Sequence, residues 1–134
     1  MPLLYLDIDG VLLTKNKQPP AGIHDFLLFA LAHFDCYWLT THCKGQAATA
    51  LRYLQAYYPA DLLEALQAVK PTNWDALKTD GIALGTDFYW LDDYPFEAEK
   101  QVLAANGQLS RLLVCDLQKA NELQRISQTL ASLM

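Results

Sequence analysis

Four short apolar runs recur along the chain, and each one is followed directly by a polar residue. Continuous apolar runs, in contrast to alternating apolar and polar positions, are typical of parallel strands that are covered on both faces. The pattern therefore predicts a mainly parallel sheet in which each strand ends at a polar side chain. The runs are 3–6, 36–39, 88–91 and 112–115, and the residues that follow them are Asp7, Thr40, Asp92 and Asp116.

Between these runs, apolar residues recur at the three- and four-residue spacing of amphipathic helices. The predicted helices cover residues 23–34, 47–58, 62–69, 97–105 and 123–133. Strands that alternate with helices indicate a doubly wound, Rossmann-like α/β fold with three layers. We expect a single domain over residues 1–134 without a large cap domain. The pattern leaves a weak fifth strand open, at 67–70 or at 82–84.

Composition and charge narrow the class of protein. Of the 134 residues, 52% are hydrophobic and 19% charged, which suits a packed core. The net charge of −5 disfavours a nucleic-acid backbone as the main partner. No apolar stretch reaches the roughly 18 residues of a membrane span, so no membrane partner is expected. Three cysteines without Cys-x-x-Cys spacing and no basic leader predict a reduced, cytoplasmic setting.

The polar residues at three of the strand ends are candidates for one shared site. Asp7, Thr40 and the pair Asp92 and Asp93 would meet if the first strand lay between the second and the third. Crowded carboxylates repel one another, and a divalent cation relieves that repulsion. Hard oxygen ligands without a cluster of His or Cys favour Mg²⁺ as the cation.

These residues form a pattern that resembles a known family. The pattern consists of DIDGVL at 7–12, LTT at 39–41, a lysine, and WLDD at 90–93. It is similar, in content and order, to the four motifs of the haloacid dehalogenase-like (HAD) phosphohydrolases. The short segments between the motifs make the chain most similar to small members of that family without a cap domain.

The resemblance implies a role for each motif residue. Asp7 would be the nucleophile that forms an aspartyl-phosphate, and Asp9 would be the general acid and base. The main-chain oxygen of Asp9 would also bind Mg²⁺, together with Asp7, Asp92 and Asp93. Thr40 would hydrogen-bond the transferring phosphoryl group, and the lysine would neutralise Asp7 and the phosphoryl oxygens. A carboxylate nucleophile of this kind divides ester hydrolysis into two easier steps.

Three residues within or directly after the motifs are predicted to contact the substrate. They are Gly10, Thr41 and His42. Residues 42 and 43 are expected at the start of a helix, where the unpaired backbone N–H groups favour anions.

Two lysines compete for the active-site position. Lys70 precedes Pro71, so we expect it in a loop. Lys78 lies closer to Asp92 in the sequence, in a Lys-Thr-Asp-x-Ile segment that resembles small capless HAD members. Lys78 is the favoured candidate, and Lys70 remains the alternative.

The leading hypothesis is a Mg²⁺-dependent phosphatase that acts on a phosphorylated small molecule, as a monomer or small homo-oligomer. One alternative is a phosphoryl-binding regulatory or interaction domain with little catalysis. A response-regulator receiver is disfavoured because its adjacent acidic pair comes early in the chain, whereas Asp92 and Asp93 come late. A nucleic-acid end-processing phosphatase is the other alternative, although the acidic charge counts against it.

Overall fold

A computed structural model describes all 134 residues as an α/β fold with a four-stranded, all-parallel sheet and five α-helices. The strands are β1 (Leu3–Leu6), β2 (Asp35–Trp38), β3 (Phe88–Asp92) and β4 (Leu112–Val114). The helices are α1 (Ile23–His33), α2 (Ala47–Leu54), α3 (Ala60–Leu66), α4 (Glu97–Ala105) and α5 (Glu122–Ser132). Two short 3₁₀ turns cover Lys78–Gly81 and Leu109–Arg111.

The strand order is β2-β1-β3-β4, so β1 lies between β2 and β3. In the register of the sheet, Leu6 is paired with Trp38 on one side and with Leu91 on the other. The prediction that the first strand lies between the second and the third is confirmed. The strand connections change direction at β1, and open α/β sheets bind ligands beside the carboxyl end of a strand in that position.

Both faces of the sheet are buried, which explains why its strands are apolar at successive positions. In β1, Leu4 and Leu6 face a large core formed with α1, α2, α3 and α5. Tyr5 faces the opposite side, where a smaller core includes Trp90 of β3 and Leu103 of α4. Helices therefore cover the sheet from both sides, as predicted for a three-layer arrangement.

Two local predictions differ from the structure. Residues 42 and 43 do not begin a helix, because the segment turns after β2 and Gly45 has a positive φ of 95°. The following helix, α2, begins at Ala47. The suggested fifth strand is reduced to one bridge between Lys70 and Tyr37, and residues 82–84 form no strand. Pro71 has no N–H to continue a ladder beyond Lys70.

The chain between β2 and β3 carries α2 and α3, and both helices pack into the main core. Leu54 of α2 and Leu66 of α3 are fully buried there. None of the five helices combines the length and the apolar character needed to cross a membrane.

Helix α4 is connected to the 3₁₀ turn that begins at Lys78 through one buried carboxylate. Glu99, only 2% exposed, accepts a hydrogen bond from the main-chain N–H of Lys78 and another from that of Phe96, both at 2.7 Å. The same carboxylate thus stabilises the start of α4 and fixes the backbone that carries Lys78.

We expect Glu99→Ala to lower the free energy of unfolding by about 1.5–3 kcal/mol, because buried N–H donors lose a charged acceptor. Chemical denaturation would measure this loss. Glu97→Ala is the matched control, since that side chain lies in the same helical turn and is 79% exposed. Its effect should stay within about 0.5 kcal/mol. Equal stabilities of the two variants would show that the Glu99 contacts contribute nothing.

Candidate active site

The carboxyl ends of β1 and β3 bring the first and last acidic motifs together. Asp7 directly follows β1, and its N–H donates to the carbonyl of Leu91 in β3 at 3.1 Å. Asp92 is the last residue of β3. Both carboxylates therefore lie at the same edge of the sheet, and both are buried, with 6% and 1% exposure.

Lys78 lies between these two carboxylates. Its Nζ is 2.6 Å from Asp92 Oδ2 and 3.4 Å from Asp7 Oδ1, and its side chain is 14% exposed. Burial lowers the pKa of the ammonium, but the charges of Asp7 and Asp92 outweigh burial and raise that pKa above its usual value. Lys78 is therefore a largely buried group whose charged form is favoured by contact with both acidic motifs.

The competing lysine lies elsewhere in the structure. Lys70 Nζ is 3.0 Å from Asp35 Oδ1, and Asp35 is the first residue of β2. Because the strands are parallel, the amino end of β2 is at the opposite edge of the sheet from Asp7. The geometry thus joins Lys78, and not Lys70, to the acidic cluster.

Asp92 and Asp93 have different surroundings, as their opposite directions along a strand require. Asp92 Oδ1 accepts a hydrogen bond from the N–H of Tyr94 at 2.9 Å, while its Oδ2 contacts Lys78. Asp93 is exposed and lies against Gly10, where an added Cβ would be 2.1 Å from Asp93 Oδ2. Gly10 also has a positive φ of 83°. Both the close approach of Asp93 and this backbone conformation therefore favour glycine at this position.

Burial and mutual repulsion raise the pKa values of carboxyl groups in the acidic cluster. Burial raises the pKa of Asp7 to about 8, and the charge of Asp92 adds to this effect, although Lys78 opposes it. The pKa of Asp93 is also raised, by partial burial and by Asp92. The protein therefore holds these carboxylates where ionisation is unfavourable unless further positive charge is present.

The donor set fits a divalent cation. One oxygen each from Asp7, Asp92 and Asp93 lie within 4.8 Å of one another. The main-chain oxygen of Asp9 accepts none of the hydrogen bonds of the protein, so it remains available as a ligand. All of these are hard oxygen donors of the kind that Mg²⁺ prefers. The carboxylate of Asp9 is not part of this group.

Asp9 instead binds side chains from three other parts of the chain. Its Oδ1 accepts hydrogen bonds from Lys17 Nζ at 3.0 Å and from the hydroxyl of Tyr53 at 2.8 Å. Its Oδ2 lies 2.9 Å from Nε2 of His42. Partial burial raises the pKa of Asp9, but these three partners outweigh burial and lower the pKa below its ordinary value.

The remaining predicted site residues lie after β2. Thr40 is fully buried, and its Oγ1 accepts a hydrogen bond from the N–H of His42 at 3.3 Å. Thr41 is exposed and makes no side-chain hydrogen bond within the protein. His42, predicted to contact substrate, contacts the Asp9 carboxylate directly, so the structure places it beside the candidate acid and base.

A cleft of about 480 Å³ opens beside Asp93 and Gly10. It lies between the turn at residues 14–16 and the segment 114–118 that follows β4. Asp116, which follows the fourth apolar run, also lines this cleft. The cleft provides room for a small molecule next to the acidic cluster.

Comparison with protein-family models, with curated proteins and with solved structures gives no match to this chain.

Three residues of the site were not predicted from the sequence: Lys17, Tyr53 and Glu99. Lys17 lies in the polar, proline-containing loop between β1 and α1, a few residues after the first motif, so a signal for it existed. Tyr53 packs against the main core at the margin of its helix, and it is 44 positions from Asp9. Glu99 occupies the first turn of α4, where acidic residues are common for reasons of helix stability.

The raised pKa of Asp7 predicts a pH-dependent difference in stability between wild type and Asp7→Asn. Because the folded chain holds the proton more tightly, wild-type stability from this group is present at low pH and is lost between about pH 4 and 8. In EDTA, Asp7→Asn should therefore become more stable than wild type as the pH rises, by on the order of 1–3 kcal/mol. Denaturant unfolding at several pH values measures the difference.

Asp25→Asn is the control, since that side chain is 97% exposed and its loss should give no comparable trend. A difference between Asp7→Asn and wild type that stayed constant from pH 4 to pH 8 would contradict the unfavourable ionisation of Asp7.

Proposed function

We propose that this chain is a Mg²⁺-dependent phosphohydrolase of the HAD type that cleaves phosphomonoesters through an aspartyl-phosphate on Asp7. The observation that carries the proposal is the position of Lys78 between Asp7 and Asp92 at the carboxyl edge of the central strands. A lysine without a role in the site would gain little stability from being buried in this way. A site that handles a phosphoryl group needs a fixed positive charge beside its nucleophile.

The first step needs an ionised Asp7 beside a bound phosphoryl group. The Lys78 ammonium favours the carboxylate form of Asp7 and can also contact the phosphoryl oxygens. An oxygen of Asp7 attacks phosphorus while the bond from phosphorus to the ester oxygen breaks. Protonated Asp9 gives its proton to that leaving oxygen, so an alcohol departs and Asp9 becomes a carboxylate.

The second step uses Asp9 in its ionised form, which its hydrogen-bond partners favour. The Asp9 carboxylate takes a proton from water as the water oxygen attacks phosphorus. The bond from phosphorus to Asp7 breaks, inorganic phosphate is released, and Asp9 regains its proton. Thr40 supplies a hydroxyl donor for the phosphoryl oxygens at the end of β2.

Mg²⁺ would be held by Asp7, Asp93 and the main-chain oxygen of Asp9, with Asp92 in support, and it would neutralise charge on the phosphoryl oxygens. The contact between Asp92 and Lys78 suggests that Asp92 acts mainly by orienting the lysine. The more exposed Asp93 is better placed to bind the cation directly.

The substrate is proposed to be a phosphorylated small molecule, because the adjoining cleft is of that size and the chain is acidic. Gly10 lines this cleft, which agrees with a contact to that substrate, and the exposed Thr41 is proposed as a second contact. The two alternatives, a phosphoryl-binding domain without catalysis and a nucleic-acid end-processing enzyme, are outcomes that the following experiment can give.

Wild type should release phosphate from at least one class of phosphomonoester with Mg²⁺ and lose that activity in EDTA. The panel should hold sugar phosphates, nucleotides, phosphopeptides and oligonucleotides with 3′ or 5′ phosphates. Asp7→Asn should abolish phosphate release because an amide is a poor nucleophile, whereas Asp25→Asn should keep it. Full turnover in EDTA, or full turnover by Asp7→Asn without deamidation, would contradict the proposal. Phosphate binding without turnover would favour the regulatory alternative.

The acidic pair should divide its roles between cation binding and lysine placement. Asp93→Ala should weaken Mg²⁺ binding by about tenfold or more, because a direct carboxylate ligand is lost. Asp92→Ala should weaken it less while still lowering turnover, since Lys78 loses its 2.6 Å partner. Calorimetric titration with Mg²⁺ and phosphate-release assays on both variants measure this. Stronger loss of Mg²⁺ binding in Asp92→Ala would reverse the assignment.

A further inference from the structure

Three side chains from three separate segments converge on the Asp9 carboxylate. Lys17 comes from the loop before α1, His42 from the turn after β2, and Tyr53 from α2. Lys17 Nζ also donates to the hydroxyl oxygen of Tyr53 at 2.7 Å, so two of the three are joined to each other. We call Lys17, His42 and Tyr53 the Asp9 clamp.

The rings of the clamp restrict each other. His42 and Tyr53 are stacked, with centroids 3.6 Å apart and planes only 10° from parallel. The ammonium of Lys17 lies 5.4 Å from the centroid of the Tyr53 ring, within the range of a cation–π contact. A stacked pair of this kind limits rotation of both side chains, so the two groups that face the two oxygens of Asp9 are held in place.

The backbone at Lys17 adopts a conformation that a lysine rarely takes. Its φ is 60°, in the left-handed region, within a turn closed by the N–H of Lys17 to the carbonyl of Thr14 at 2.9 Å. A non-glycine residue in this region costs about 1–2 kcal/mol. Such strain persists where the surroundings require it, and it is often found at functional sites. Here the strained turn directs Lys17 toward Asp9 and Tyr53.

We infer that Lys17, His42 and Tyr53 are positioning residues that hold the Asp9 carboxylate in the orientation from which it transfers protons to and from the substrate. The inference depends on the proposed phosphohydrolase function. The clamp occupies both oxygens of Asp9 and thereby fixes the plane of the carboxylate. Its Oδ2, which has a single partner, is the oxygen more open to a reacting group.

The consequence of this role depends on the leaving group. An alkyl phosphate needs a proton on its departing oxygen, and such acid catalysis typically contributes about 10²–10⁴-fold. Nitrophenyl phosphate needs none, because nitrophenolate is stable as an anion. A misplaced Asp9 should therefore slow the departure of an alcohol much more than the departure of nitrophenolate. A general loss of structure would slow both reactions.

Tyr53→Phe and Lys17→Met remove single donors of the clamp without removing bulk. We expect each to lower kcat/KM for glycerol phosphate by about 10–100-fold and to change kcat/KM for nitrophenyl phosphate by less than about threefold. Because Asp9 also serves the second step, the variants should accumulate phosphoenzyme and release a burst of nitrophenol. Lys17→Arg, which keeps a charged donor, should recover part of the lost activity.

Two controls test loss of a hydroxyl and of a charge outside the clamp. Tyr57→Phe changes a tyrosine just beyond α2 whose hydroxyl makes no hydrogen bond, and Lys119→Met changes an exposed lysine without an ion pair. Both should behave as wild type with both substrates. Amide exchange of residues 14–18 should be several-fold faster in Lys17→Met and Tyr53→Phe than in these controls, because in each variant the Lys17 position loses at least one of the hydrogen bonds that anchor the turn.

Equal losses with the two substrates and no burst would overturn the positioning role, as would wild-type kinetics in both clamp variants. Unchanged amide exchange would show that the clamp does not hold the turn, and would also overturn it. A wild type without Asp7-dependent turnover would refute the proposed function and the role of the clamp together. An active wild type with unselective variants would refute the clamp alone.

Discussion

The structure depends on one electrostatic constraint. A lysine and two carboxylates are largely buried together at the carboxyl ends of the strands of a parallel sheet. Lys78 contacts Asp92 and Asp7, and neither carboxylate is more than slightly exposed. Burial of one such charge without a partner would be costly. Other hydrogen bonds therefore hold these groups in place. Glu99 accepts one from the main-chain N–H of Lys78, and Asp92 accepts one from the N–H of Tyr94.

Two aspartates that are two positions apart experience opposite environments. Burial and a neighbouring carboxylate raise the pKa of Asp7, whereas hydrogen bonds from the clamp lower the pKa of Asp9. Their side chains also contact different sets of residues, Lys78 for Asp7 and Lys17, His42 and Tyr53 for Asp9. Such a separation is typical of sites in which two carboxyl groups have different chemical roles. It is consistent with a nucleophile and a separate acid and base.

Much of the framework could be predicted because local pattern and topology agree. Continuous apolar runs indicated buried parallel strands, and the polar residue after each run indicated the edge where the site lies. The requirement that Asp7, Thr40 and Asp92 meet also predicted the position of β1 within the sheet, which the strand order confirms. The apolar periodicity also predicted that α2 begins at Ala47, and the structure confirms this start. The separate expectation that residues 42 and 43 begin a helix was wrong, because a turn containing Gly45 lies between them and α2.

The surroundings of Asp9 could not be predicted for a different reason. The Tyr53 contact joins positions far apart in the chain, and no spacing rule relates a helix residue to a loop aspartate. The choice between Lys70 and Lys78 likewise needed the direction of each side chain. Lys70 precedes a proline and faces Asp35 at the opposite edge, which only the strand register shows.

In the proposed reaction the carboxylate of Asp7 forms a covalent bond to phosphorus. The most direct measurement is to mix the protein with Mg²⁺ and a substrate it turns over, quench in acid, reduce the acyl phosphate with borohydride, and locate the change by mass spectrometry. The modified residue should be Asp7, and the modification should be absent without substrate. Modification of a different residue during turnover, or turnover with no modified aspartate, would contradict it.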